Sequence, residues 1–201
     1  MARLINIPTR KIYQLKITLR GSKPRIWRRF TVPGDYTLFK LHLVIQIVMG
    51  WSEMHLHEFI IDGASYGEPS PDYDPESMRD HNKFTLEKLL QEPKKKFGYI
   101  YDFGDGWQHE IAVEKIFIAE PRVYYSVCLA GKMACPPEDC GGMGGYGDLL
   151  RALKNPRTKD QREFVEWAGP FDPERFELDT INAVLKIMRG RNEDQKHSRR
   201  Q

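Results

Sequence analysis

The run FGYIYDFGDGWQHEIAVEKIFI, residues 97–118, constrains the fold most, because two alternating apolar segments flank an Asp-Gly pair. Asp105-Gly106 is the dipeptide that two-residue type I′ turns favour, and such turns match the twist of antiparallel strands. The spacing therefore predicts a hairpin of Phe97–Phe103 and Trp107–Ile118. A lone hairpin is marginal in water, so other segments must cover one of its faces.

Those segments are recognisable by the same periodicity. In KIYQLKITLR, Tyr13, Leu15, Ile17 and Leu19 alternate with Ile12, Gln14, Lys16 and Thr18, the pattern of a half-buried strand. GSKP reads as a turn into a second strand, Arg25–Val32, with Ile26, Arg28, Phe30 and Val32 on one face. An arginine there must reach the rim or find a carboxylate, since an unpaired buried charge is costly. Thr37 caps a helix to Met49, with Leu38, Leu41, Ile45 and Val48 at helical spacing and Gly50 as its stop. This helix is apolar on most sides, so it lies across the sheet as a core element, with His42 at the core edge.

Residues 55–61 form a third strand, and residues 62–84, rich in Pro, Gly and Asp, read as one long loop. TLEKLLQE is a short helix capped by Thr85. Three further helices, 148–153, 158–168 and 180–188, follow before a polar tail at 191–201. The fold class is α+β: a mainly antiparallel sheet of hairpins packed by a central helix, with a helical C-terminal third, in one domain over residues 1–190.

Chain-wide properties narrow the classes. At 201 residues the chain is long enough for a core without disulfide staples. Its three cysteines, Cys128, Cys135 and Cys140, are an odd number and read as reduced thiols. The longest apolar run, LHLVIQIVM, is too short to span a bilayer, and the N-terminus has no apolar signal region, which points to a cytoplasmic protein. Residues 1–34 hold nine Lys or Arg and no acid, so with a total of +3 the remainder carries −6. Such a hairpin can meet nucleic acid through Arg25, Arg28 and Arg29, or answer acids elsewhere in the fold.

The polar residues with chemical potential gather in WSEMHLHEF, YDFGDGWQHE and CPPEDCGG. A two-residue Asp105-Gly106 turn sets Asp102 opposite His109, where a carboxylate can fix the imidazole tautomer; a three-residue turn sets Asp102 opposite Gln108. His55 and His57, two apart in a strand, share a face and can chelate. A divalent metal held by His57, Asp102 and His109 would acidify a bound water, with Glu58 or Glu138 as the base. CPPEDC lacks the second ligand pair that a structural zinc site needs, and its acids oppose thiolate formation. Gly142, Gly144 and Gly147 fit a phosphate-loop pattern that no strand introduces, so they read as glycines of a closely packed loop before Asp148 caps a helix.

Taken together, KPRIWRRFTVP, LHLVIQIVMGW, HLHEFII, YIYDFGDGWQHEI and CLAGKMACPPEDCGGMGGY resemble the plasmid pRiA ORF-three-like family over roughly residues 10–190. The resemblance implies a single α+β domain related to a passenger protein of an insertion element, with no reaction attached. The matching polar positions are His55, His57, Glu58, Asp102, Asp105, Trp107, His109, Glu138 and Asp139. The leading functional reading is an accessory domain that binds a small ligand or partner protein at this acidic, His- and Trp-bearing site. The alternatives are the metal-dependent hydrolase and the nucleic-acid binder.

Overall fold

The computed structural model describes residues 10–69 and 78–198, with side chains of the last helix described through Met188. Eight strands form one sheet: β1 (Lys11–Leu19), β2 (Trp27–Pro33), β3 (His57–Ile61), β4 (Ala64–Gly67), β5 (Arg79–Asp80), β6 (Lys96–Tyr101), β7 (Trp107–Ile118) and β8 (Val127–Lys132). Their order is β5-β4-β3-β6-β7-β1-β2-β8, antiparallel except for the short β4–β5 pair. Five helices accompany it among the described residues: α1 (Leu38–Met49), α2 (Leu86–Leu89), α3 (Gly142–Lys154), α4 (Lys159–Ala168) and α5 (Leu178–Ser198). No helix among the described residues is long and apolar enough to cross a membrane.

Alternation gives the sheet one buried face. Tyr13, Leu15, Ile17 and Leu19 of β1 join Phe30 and Val32 of β2, Phe59 and Ile61 of β3, Tyr99 of β6, and Ile111 and Val113 of β7 in the core. Helix α1 shares this core, with the Thr37 hydroxyl accepting from the Lys40 N–H and Gly50 closing the helix at φ 96°. Eight of its twelve residues are buried, His42 and Gln46 included, as a helix that is apolar on most sides requires.

Arg28 lies on the buried face and takes neither of the routes open to it from sequence. Its Nε donates to Val48 O at 2.7 Å and its Nη1 to Trp27 O and Lys132 O at 2.9 Å. The Val48 carbonyl at the end of α1 and the Trp27 and Lys132 carbonyls of β2 and β8 replace the carboxylate, because their partial negative charge lies where the guanidinium ends. On the outer face, Arg29 forms a two-pronged ion pair with Glu114 at 2.6 and 2.8 Å. Glu114 sits where the β1–β7 register skips a residue, and it also accepts from Gln14 Nε2 at 2.7 Å. Arg28 is thus held in the core and Arg29 is engaged by Glu114.

Three strands have no counterpart in the sequence reading. β4 and β5 lie inside the segment read as a loop, whose residues 70–77 are outside the described ones, and β8 follows Ser126. Each is short and closes an edge, where few side chains alternate enough to show. α3 starts at Gly142, so Asp148 lies inside the helix and pairs with Arg151 instead of capping it. Of the three glycines expected to pack closely, only Gly142 does, since a Cβ there would strike the Asp105 carbonyl; Gly144 faces open space and Gly147 meets only ordinary contact, while Gly145, not singled out from sequence, lies against the Cys140 carbonyl. α5 continues to Ser198 through most of the segment read as a tail, and residues 199–201 are outside those described.

Candidate functional site

The β6–β7 turn decides which polar groups meet. Tyr101 pairs with Trp107 and Tyr99 with His109, so the connection is the five residues 102–106, and Asp102 faces neither His109 nor Gln108. Asp102 itself causes the difference. It takes φ 56°, and its Oδ1 accepts from the N–H groups of Gly104 at 2.9 Å and Asp105 at 3.3 Å. An aspartate that bonds its own following backbone builds a side-chain-closed turn, which displaces the two-residue alternative. Gly106 N–H donates back to Asp102 O at 2.7 Å and completes the loop.

With Oδ1 held by the turn, Asp102 Oδ2 lies 3.8 Å from His55 Nε2. Asp139 Oδ1 lies 3.2 Å from the same nitrogen. His55 is not in β3, which begins at His57, so the strand period does not put the two histidines on one face. The Asp102 N–H donates to Leu56 O at 2.9 Å and the Met54 N–H to the Tyr101 hydroxyl at 3.1 Å, which fixes the His55 segment beside the turn. Asp139 arrives from the CPPEDC loop, anchored by Trp51 Nε1 donating to Pro136 O at 3.1 Å.

His55 Nε2 is buried and has no hydrogen-bond partner, since the close Asp139 oxygen is off the hydrogen-bonding direction. Among the described residues, His55, Asp102 and Asp139 are the one trio of His, Cys, Asp or Glu with ligand atoms within 4.8 Å of each other. One imidazole nitrogen and two carboxylate oxygens suit a divalent first-row cation, and three protein donors leave coordination positions open.

The other residues singled out from sequence go elsewhere. Glu138 is occupied: its Oε1 accepts from the Tyr101 hydroxyl at 2.5 Å and its Oε2 from the Ser52 N–H at 3.1 Å. Glu58 pairs with Ile100 and Gly67 and, one residue from His57, takes the opposite face of β3. Neither carboxylate stands as a base beside the trio. Trp107 and His109 are core residues of β7, and Trp107 Nε1, both His109 ring nitrogens and Asp105 Oδ2 are buried without partners. Burial pushes the Cys128 thiol up to about 11 and the Cys140 thiol up to about 12, and it raises Cys135 further, which leaves no ready thiolate.

His57 belongs to a second cluster, which the sequence reading does not assemble. Its ring stacks on that of His42 at 3.5 Å between centroids and 6° between planes, and its Nε2 meets His81 Nδ1 at 3.1 Å. His42 Nδ1 bonds the Tyr99 hydroxyl at 2.8 Å, which also receives Gln46 Nε2 at 3.1 Å. Desolvation, with the neighbouring histidines, depresses His42 to about 3 and His57 to about 2. The rings are therefore neutral. The histidine at helix position 42 gives a hint of this cluster, but His81 lies in a segment without periodicity.

Fold and site define the class as an α+β domain with one predominantly antiparallel sheet and an imidazole–carboxylate trio at one end of its β6–β7 hairpin. The chain belongs to the plasmid pRiA4b ORF-3-like protein family, whose model matches residues 11–180. It is 35% identical over 161 residues to the uncharacterized protein y4hQ of Sinorhizobium fredii (strain NBRC 101917 / NGR234), covering 80% of this chain and 82% of that one. The crystal structure of the protein of unknown function MM3350 from Methanosarcina mazei Go1 superposes with a TM-score of 0.75 at 37% identity, over 85% of this chain and 97% of the other. Neither relative's name assigns a reaction or a ligand.

Proposed function

We propose that this domain binds a divalent cation through His55, Asp102 and Asp139 and uses the ion's open positions to hold an oxygen donor of a ligand or partner. The observation that carries the reading is the His55 Nε2 atom, buried, unbonded and set beside two carboxylates. A buried acceptor or donor left unmade costs about 1–3 kcal/mol, and a cation would occupy that nitrogen while offsetting the two negative charges. Met54 and Leu56, which flank His55, and Phe103, which follows Asp102, are exposed and offer apolar contact to whatever approaches the ion. Binding is favoured over hydrolysis because both carboxylates available as a general base, Glu58 and Glu138, are turned away or already bonded.

Calorimetric titration of chelator-treated protein with Mn²⁺ and Zn²⁺ tests this. One ion per chain is expected, with affinity reduced about tenfold or more in His55→Ala and in Asp102→Asn. The Asp102→Asn side chain keeps an oxygen that can close the turn, so its loss of affinity is separable from misfolding. Equal binding by wild type and both variants, or no binding at all, would overturn the reading.

A further inference from the structure

A second site is legible on the other face of the sheet, and it shares no residue with the trio. A groove of about 460 Å³ lies between the β1–β2 turn and the outer face of β1, β7 and the start of β6. Its lining carries Lys16, Arg20, Arg25 and Lys96 against one acid, Glu110. Lys96 Nζ lies 3.0 Å from Glu110 and is engaged there. Arg20 and Arg25 make no ion pair among the described residues, while Lys16 Nζ rests over the Trp27 ring at 4.7 Å and helps Arg29 hold Glu114 below the usual carboxylate range.

Arg20 and Arg25 differ in this from the other arginines of the N-terminal hairpin. Arg10 is matched by Asp35 at 2.7 Å, Arg29 by Glu114, and Arg28 by carbonyl oxygens in the core. Arg20 and Arg25 put two unpaired like charges on one concave surface beside Lys16, and an anion between them offsets their repulsion. Thr18, on the same strand face between Lys16 and Arg20, adds a hydroxyl donor to the lining.

We infer that this groove binds a compact multivalent oxyanion, the phosphate of a small phosphorylated ligand. The size lies in the range of small-ligand sites, roughly 300–1,000 Å³. The surroundings exclude a long polyanion, because Glu110 and Glu114 alternate along β7 on the outer face and end the positive field within the groove. Arginine forks and a lysine are the side chains that hold phosphate oxygens by charge-assisted hydrogen bonds.

The test is calorimetric titration with inorganic pyrophosphate, beside a short single-stranded DNA, at low and moderate salt. Pyrophosphate is expected to bind one to one, and to bind about tenfold more weakly in Arg25→Ala and more weakly still in Arg20→Ala/Arg25→Ala. Both arginines are exposed, so the variants should melt with the wild type, which a thermal scan verifies. Absence of pyrophosphate binding, or binding unchanged in the double variant, would overturn the inference. Tighter binding of the oligonucleotide than of pyrophosphate through the same arginines would overturn it too, since the groove would then read a polyanion.

Discussion

His55 and His57 are two residues apart and occupy opposite chemical environments. His57 is packed in a closed cluster in which ring nitrogens, the Tyr99 hydroxyl and the Gln46 amide answer one another around α1. His55 stands in an open cluster, its Nε2 unbonded and its companions, Asp102 and Asp139, drawn from two separate loops. The first arrangement fixes the position of α1 on the sheet. The second leaves a donor set incomplete, and incompleteness at a surface is what a ligand can use. The difference teaches that histidine content says little; what matters is whether each nitrogen already has a partner.

Acid should act first and most on the buried imidazoles, those of the closed cluster and the orphaned His109 beside Tyr99. His42, His57 and His109 are depressed by burial to about 3, about 2 and about 3, whereas imidazoles of the unfolded chain titrate near the ordinary 6.5. The unfolded chain thus binds protons that the folded one refuses, so stability is full above pH 6.5 and declines as pH falls from there toward 3. Each independent imidazole contributes a slope of about 1 kcal/mol per pH unit, and the stacked pair titrates as a unit. Denaturant melts between neutral and mildly acidic pH should lose several kcal/mol; a flat profile would mean that the folded rings take up protons as readily as the unfolded ones.

Next in size is Tyr99→Phe, which leaves His42 Nδ1 and Gln46 Nε2 facing an apolar ring and should cost about 2 kcal/mol in urea unfolding. His109→Phe is the contrasting case. Its ring nitrogens make no hydrogen bond of normal geometry, so the substitution should change stability by less than about 1 kcal/mol and make the acid profile shallower. If His109→Phe cost more than Tyr99→Phe, the distinction between partnered and orphaned rings would fail. The smallest loss belongs to the open cluster: His55→Ala removes an unmade nitrogen along with its contacts, so it should lower stability without metal by no more than about 0.5 kcal/mol while abolishing any rise in melting temperature on adding Mn²⁺ or Zn²⁺.

Much of the fold is legible in the chain itself. The strands β1, β2, β3, β6 and β7 and the helix α1 follow from alternation and helical spacing, and the Thr37 and Gly50 stops are where the capping rules put them. The site is legible only in part. His55, Asp102 and Asp139 stand among the candidates, but the pairing of Asp102 with His109 rests on turn length, and a side-chain hydrogen bond of Asp102 resets that length. His81 carries no periodic signal, and Arg28 has no visible partner because backbone carbonyls leave none in sequence.

The amino-acid sequence by itself determined which residues are buried in these strands, since period-two patterning assigns a face to each side chain before any strand finds its neighbour. Which nitrogen meets which oxygen was decided by the tertiary structure alone. His55, Asp102 and Asp139 come from three segments, and only the register of β3 on β6, the closed turn after Tyr101 and the Trp51 anchor on the Pro136 loop bring them together. Periodicity is a property of consecutive residues, whereas a ligand set is a property of distances between remote ones.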